Sequence, residues 1–273
     1  MKPPINLYEK KGKPPSENDQ RSVWTQEGVY SKETISHLPS QKDVDYNDTL
    51  LKFRLDLVRQ YAAGSILLDV CCASGQHLLG FGESMQAGVG VDFSLPYLEK
   101  ANENKKDHPN TTASFLCSDA KKIPNRSHYF DVAYSFSSLH IVPDVQLAIL
   151  EMARVLKTGG KCILDLGNMH SLNAAVIKNY NQELGWAKPF LISIRDMKKY
   201  IHAAGMKIIE HRAFQVLPLW GANRPKRLKL FLLPFWTRLL SKQISGKMID
   251  EWISNTPIIK NFAFRHVFVC EKV

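Results

Sequence analysis

The residues 67–78, "LLDVCCASGQHL", carry the first chemistry in this chain. An apolar run ends in Asp69, small residues lead to Gly75, and a helical start follows. Strand, loop and helix opening in that order bring a backbone close to a nucleotide-like ligand. A dinucleotide fingerprint would set glycines at 71, 73 and 76, where the chain has Cys71, Ala73 and Gln76. Binding of NAD or FAD is therefore not expected. The lysine-containing phosphate loop is absent as well. What remains is small-x-small-x-Gly, in which Gly75 supplies positive φ and the small residues permit close approach. Such a loop suits a ligand that is not highly anionic. Adjacent Cys71 and Cys72 would form a strained disulfide, and no partner thiol motif accompanies them. They read as small, nearly apolar fillers.

The elements that must position this loop follow from the pattern of apolar residues. Helical spacing of Leu50, Phe53, Leu57 and Tyr61 predicts a helix over 47–61, ended by Gly64. Apolar runs predict strands at 65–70, 87–92, 112–119, 130–136, 161–167, 206–216 and 261–272. Helices are expected at 76–85, 94–106, 143–160 and 193–205. Alternation of strands and helices implies a doubly wound, mostly parallel α/β sheet of seven strands. No helix separates the final strand from the chain end, so it is expected to enter antiparallel, at the sheet edge. Domain limits follow: a flexible arm and N-terminal cover at 1–48, a core at 49–216, a helical insertion at 217–258, and a final edge strand at 259–273.

Five segments occur in order: "LLDVCCASG", "GVDFS", "LCSDAKKIP", "FDVAYSFSSLHIVPD" and "EMARVLKTGGKCIL". Together they resemble the successive motifs of class I S-adenosylmethionine-dependent methyltransferases of the small-molecule type, over roughly residues 50–170. The resemblance implies a Rossmann-like fold and S-adenosyl-L-methionine as cofactor. It also implies roles. Asp69 and the loop through Cys71, Ala73 and Gly75 would hold the methionine portion, the carboxylate facing an ammonium. Asp92 would accept from the ribose hydroxyls, with Phe93 packed on the adenine. Asp119 would accept from the adenine amino group, the N–H of Ala120 would serve a ring nitrogen, and Ser135 would lie by the methionine end. Taken singly, each aspartate also fits an ordinary turn or cap; the set carries the reading.

If the acceptor needs deprotonation, a base must stand beyond the carboxyl ends of the strands. His140, after the fourth strand, is the first candidate, and His170, after the fifth, is the second. Each alone also reads as a hydrogen-bonded structural histidine. Tyr30 and His37 in the N-terminal cover are weaker candidates for lid contacts. No metal-ligand spacing is present.

The chain has 273 residues, 44% hydrophobic, with a formal net charge of +10 and five cysteines. That bounds it to one sizeable core with elaborations and excludes a disulfide scaffold. No apolar run approaches the ~20 residues of a membrane-spanning helix, and no secretory signal is seen, so a cytoplasmic location is expected. The positive surplus gathers late. From Arg224 to Lys247 there are seven Lys or Arg and no acid. Leu228, Leu230, Phe231, Trp236 and other apolar residues interleave with them. One reading is a segment lying on an anionic membrane surface. The other is a helical insertion shaping the acceptor pocket. Nucleic-acid binding is the less favoured alternative. The function expected is methyl transfer to a small-molecule or lipid-linked acceptor at oxygen. The alternatives are an RNA-directed enzyme or a non-catalytic S-adenosylmethionine-binding partner subunit.

Overall fold

The structure, a computed structural model, describes residues 46–174, 176–177, 189–218 and 234–273. The arm, nearly all of the N-terminal cover with Tyr30 and His37, and the basic run at 224–233 lie outside the described residues. In chain order the elements are α1 (Tyr46–Ala62), β1 (Ile66–Val70), α2 (Gln76–Leu79), β2 (Ala87–Asp92), α3 (Leu95–Lys105), β3 (Ala113–Cys117), β4 (Phe130–Ser135), α4 (Val145–Val155), β5 (Leu156–Gly167), α5 (Ile194–Ala203), β6 (Met206–Phe214), α6 (Pro234–Ser241), β7 (Gln243–Ile244), β8 (Lys247–Met248), α7 (Ile249–Ser254) and β9 (Arg265–Lys272).

Seven strands form one sheet in the order β3-β2-β1-β4-β5-β9-β6. β1 to β5 run parallel, while β9 is antiparallel to both β5 and β6. β9 is thus not the edge strand that its place in the sequence leads one to expect. Its Val267–Cys270 run is buried throughout, which requires cover on both faces, and β5 and β6 pair with it on either side. The edge falls to β6, whose middle carries the partly exposed Glu210 and Arg212. Polar residues at an edge discourage pairing with other chains.

The core lies on both faces of the sheet, and alternate residues of each strand feed one or the other. Leu68, Ala133, Cys162, Leu164 and Phe268 pack under α4 and α5 with Ile149, Met152, Met197 and Ile201. Leu67, Val132, Tyr134, Ile163 and Val269 pack under α1 and α2 with Leu50, Val58, Leu78 and Leu79. A central parallel strand buried on both faces reads as a continuous apolar run, as "ILLDV" does.

Some boundaries differ from the sequence expectation. α4 stops at Val155, because Leu156 already pairs with Phe130 of β4 and the Tyr129 N–H bonds to the Val155 carbonyl at 2.7 Å. The ladder captures the backbone five residues before Gly160, the glycine that pattern alone would take as the stop. The helix after the loop is only Gln76–Leu79, followed by a single 3-10 turn at Gly82–Ser84. Of the insertion, the described part holds α6, the short β7–β8 hairpin and α7.

Candidate functional site

The opening loop leaves the carboxyl end of β1 at the middle of the parallel sheet. The backbone there turns left-handed three times in five residues: Cys71 at φ 62°, Ala73 at φ 46° and Gly75 at φ 73°. The loop therefore has the backbone of a glycine-rich turn at two positions that carry a Cβ. At Gly75 any other residue must push a neighbouring ring aside. A Cβ there would lie 2.5 Å from Cε1 and Cζ of Phe115, which projects from β3. Cys72 is buried, and its Sγ would stand 2.8 Å from a Cβ at Gly90 of β2. Cysteine thus fills a space cut to its size. All five cysteines are free thiols. Burial, and then the neighbouring Asp92, Asp69 and Asp119, hold the Cys71 thiol well above its ordinary pKa. It stays protonated, which suits a filler and not a redox or nucleophilic group.

Those three neighbours are the aspartates read from the sequence, and each comes from a different strand end. Asp69 sits in β1 opposite Gly90 of β2 and Tyr134 of β4. Its carboxylate is buried, and Oδ2 has no hydrogen-bond partner. Burial raises its pKa well above the usual carboxylate range; the Tyr134 phenol opposes the shift and the charge of Asp92 adds to it. An unpartnered buried carboxylate oxygen calls for a donor or a cation. Asp92 ends β2. Its Oδ2 accepts the Ala73 N–H at 3.0 Å and its Oδ1 accepts the Ser94 N–H at 2.9 Å. Asp92 thereby ties the loop to the second strand, and each oxygen keeps lone pairs for a further donor. Burial lifts its pKa to about 6, against the lowering effect of those backbone N–H groups. Asp119 follows β3 and accepts the Lys121 N–H at 2.8 Å; Ala120 beside it is buried. Phe93 is half-buried after β2.

At the end of β4, Ser135 is buried and its Oγ donates to the Val70 carbonyl at 2.8 Å, pinning β4 to the start of the loop. The Phe136 ring packs on Tyr134, centroids 5.3 Å apart. His140 follows in a 3-10 turn, with its ring edge-on to Phe264 at 6.1 Å. Burial first, then the cation of Arg265, lower its pKa to about 4. It is neutral near pH 7 and a feeble base. His170 lies exposed in the turn after β5, its N–H bonded to Asn168 Oδ1 at 3.0 Å.

A cluster absent from the sequence reading stands beside His140. Arg54 of α1 and Arg265 of β9 both donate to Oδ2 of Asp165 in β5, the second at 2.7 Å. Arg54 also donates to Ser137 Oγ at 2.8 Å, and the Ser137 N–H reaches the same Asp165 oxygen at 3.2 Å. The sequence signal was there: one aspartate inside "KCILDLG" and one arginine inside "FAFRHVFV", charges placed in otherwise apolar strands. Among the described residues, no group of His, Cys, Asp and Glu could hold a metal ion.

Residues 68–164 match the methyltransferase-domain family. The chain is similar to a demethylmenaquinone methyltransferase of Oceanobacillus iheyensis, 30% identical over 155 residues, covering 55% of this chain and 63% of the relative. It is similar to a 27-O-demethylrifamycin SV methyltransferase of Amycolatopsis mediterranei, 32% identical over 118 residues, covering 42% of this chain and 43% of the relative. The chain thus spans less than two thirds of these relatives' length. Among solved structures, it shares its fold with a geranyl diphosphate C-methyltransferase from Streptomyces coelicolor A3(2), with a TM-score of 0.57, 12% identity and 88% of each chain covered.

Proposed function

We propose that this chain, whose residues 68–164 match the methyltransferase-domain family, moves a methyl group from S-adenosyl-L-methionine to oxygen of a small or lipid-linked acceptor. One observation carries the reading. Three carboxylates, Asp69, Asp92 and Asp119, converge from three neighbouring strand ends on a loop whose backbone is already left-handed at Cys71, Ala73 and Gly75. The unpartnered Oδ2 of Asp69 fits a cationic ammonium. The carboxylate of Asp92 fits a ribose diol, by the same logic that dinucleotide folds use. The backbone beside Asp119 and Ala120 fits the edge of an adenine. The crystal structure of the geranyl diphosphate enzyme is described as a complex with S-adenosyl-L-homocysteine, which agrees with that assignment.

When bound, the cofactor supplies an electrophilic methyl group on a sulfonium, so the hard chemistry is its own. The chain's residues position. Asp92 and Ser135 lock the loop to β2 and β4 through bonds of 3.0 and 2.8 Å. Phe136 and the turn through His140 border the acceptor side. Alignment of this kind can supply about 7–11 kcal/mol of the barrier in a bimolecular displacement. With a pKa of about 4, His140 accepts a hydrogen bond from an acceptor hydroxyl and contributes little as a general base, since the best base titrates near the working pH.

The relatives' names, for a demethylmenaquinone and a demethylated rifamycin, support an apolar ring-bearing acceptor. A second observation supports one held at an anionic lipid surface. Phe235, Ile244, Trp252, Ile258 and Phe262 expose large apolar side chains on the late insertion and the turn before β9. Lys247 caps the Trp252 ring at 5.0 Å. The reading takes such contact as peripheral, with apolar side chains set into the surface beside basic ones; no described helix is long and apolar enough to cross a membrane. The test is transfer of label from methyl-labelled cofactor to a panel of quinols and phenols, with and without anionic vesicles. The reading expects label in the extractable acceptor, lost in Asp92→Ala. Tight cofactor binding with no label on any acceptor would instead favour a non-catalytic subunit.

A further inference from the structure

The cluster of Arg54, Arg265 and Asp165 holds more cation than anion in a place where charge is costly. The side chains of Arg54, Arg265 and Asp165 are 7%, 12% and 1% exposed. Both guanidiniums and the Ser137 N–H converge on a single oxygen of Asp165. Arg54 Nε is buried without a partner. Among the described residues, the Nη2 edge of neither arginine makes a hydrogen bond. The next buried carboxylate, Asp250, does not reach them; it is taken by the Tyr46 hydroxyl and the Gln215 N–H, both at 2.6 Å. A buried charge is stable only when paired; Asp165 Oδ1 is itself without a partner, yet its single carboxylate leaves one of the two guanidiniums without a counter-charge. Guanidinium edges are matched best by planar oxyanions.

The position of the cluster gives the pair a use. Asp165 is two residues from the carboxyl end of β5, Arg265 opens β9 opposite Gly167, and Ser137 follows β4. Ligands of open parallel sheets lie beyond these strand ends. The Phe136 ring lies 5.3 Å from the Arg54 guanidinium and packs on Tyr134, the β4 residue opposite Asp69. We propose that Arg54 and Arg265 are an oxyanion receptor for the methyl acceptor, which carries a carboxylate or an ionised phenol. This deepens the methyltransferase reading and rests on it for the word acceptor; the anion site itself does not.

The experiment uses simple probes. Benzoate, 4-nitrophenolate and the neutral benzamide are titrated calorimetrically into wild type, Arg265→Gln and Arg265→Lys, each with and without saturating S-adenosylhomocysteine. The expected result is that one or both anions bind at least about tenfold tighter than benzamide, as charge-assisted bonds require. Arg265→Gln should lose that advantage and Arg265→Lys should keep part of it. Tighter benzoate assigns a carboxylate, and tighter nitrophenolate assigns a phenolate. Equal binding of benzamide and the anions, or an unchanged anion preference in Arg265→Gln, overturns the proposal. A variant that retains the affinity of wild type for S-adenosylhomocysteine is folded. If wild type binds the anions and not S-adenosylhomocysteine, the methyltransferase reading fails while the receptor stands.

Discussion

Exchanging Gly75 for alanine and Ala73 for glycine makes one chemical change in opposite directions, two residues apart in the same loop. At Gly75, φ is 73° and a new Cβ would meet the Phe115 ring at 2.5 Å and the Ala101 Cβ at 3.1 Å. The left-handed backbone costs an L-residue about 1–2 kcal/mol. Forcing the ring aside adds about 1–3 kcal/mol. Loss of glycine's freedom in the unfolded chain returns about 0.4–1 kcal/mol. Gly75→Ala is expected to destabilise by about 2–4 kcal/mol. At Ala73, φ is 46°, and the same terms run backwards with no clash to relieve. Ala73→Gly should gain between about 0 and 1 kcal/mol. Urea denaturation reads both, with m unchanged and a midpoint about 1 M lower for Gly75→Ala. Ala73→Gly should also leave S-adenosylhomocysteine affinity within about threefold, because the loop backbone already has its binding shape. A Gly75→Ala protein within about 0.5 kcal/mol of wild type would refute the reasoning. So would an Ala73→Gly protein that loses more than about 1 kcal/mol.

Asp165→Asn should destabilise by about 3–5 kcal/mol, since it leaves the Arg54 and Arg265 guanidiniums buried without a counter-charge; a thermal midpoint unchanged from wild type would contradict this. Asp92 gives a pH signature. Its carboxyl rises from 3.8 to about 6 on folding, so its contribution to stability is full below 3.8 and is lost as pH rises through about 6. At neutral pH the group opposes folding by up to about 3 kcal/mol. Denaturation between pH 4 and 7 should show this downward component in wild type and not in Asp92→Asn.

The loop and its three aspartates were legible because each closes a short apolar run, and because glycine-like spacing survives when small residues replace glycine. The left-handed φ at Cys71 and Ala73 was not legible, since neither residue type advertises it. The place of β9 was hidden for a different reason: strand order is settled by which strands need two covered faces, and a run such as "HVFV" states that need only beside the more polar β6. The boundary at Val155 went unread because the β4 ladder overrides local helical pattern. Arg54 escaped notice because helical spacing drew attention to Leu50 and Leu57. Its own place on the buried side of α1 makes sense only once Asp165 stands opposite. Asp165 and Arg265 were visible as lone charges in apolar strands, a pattern that marks either a buried pair or a site.

The central claim is that the loop at 69–75 and Asp92 form a sulfonium-nucleoside site. The most direct test is calorimetric titration of S-adenosylhomocysteine into wild type and Asp92→Ala at pH 7.5. The account predicts a dissociation constant in the micromolar range for wild type, about −8 kcal/mol, and no measurable binding to Asp92→Ala. Absence of binding to a folded wild type, or equal binding by both proteins, would contradict it.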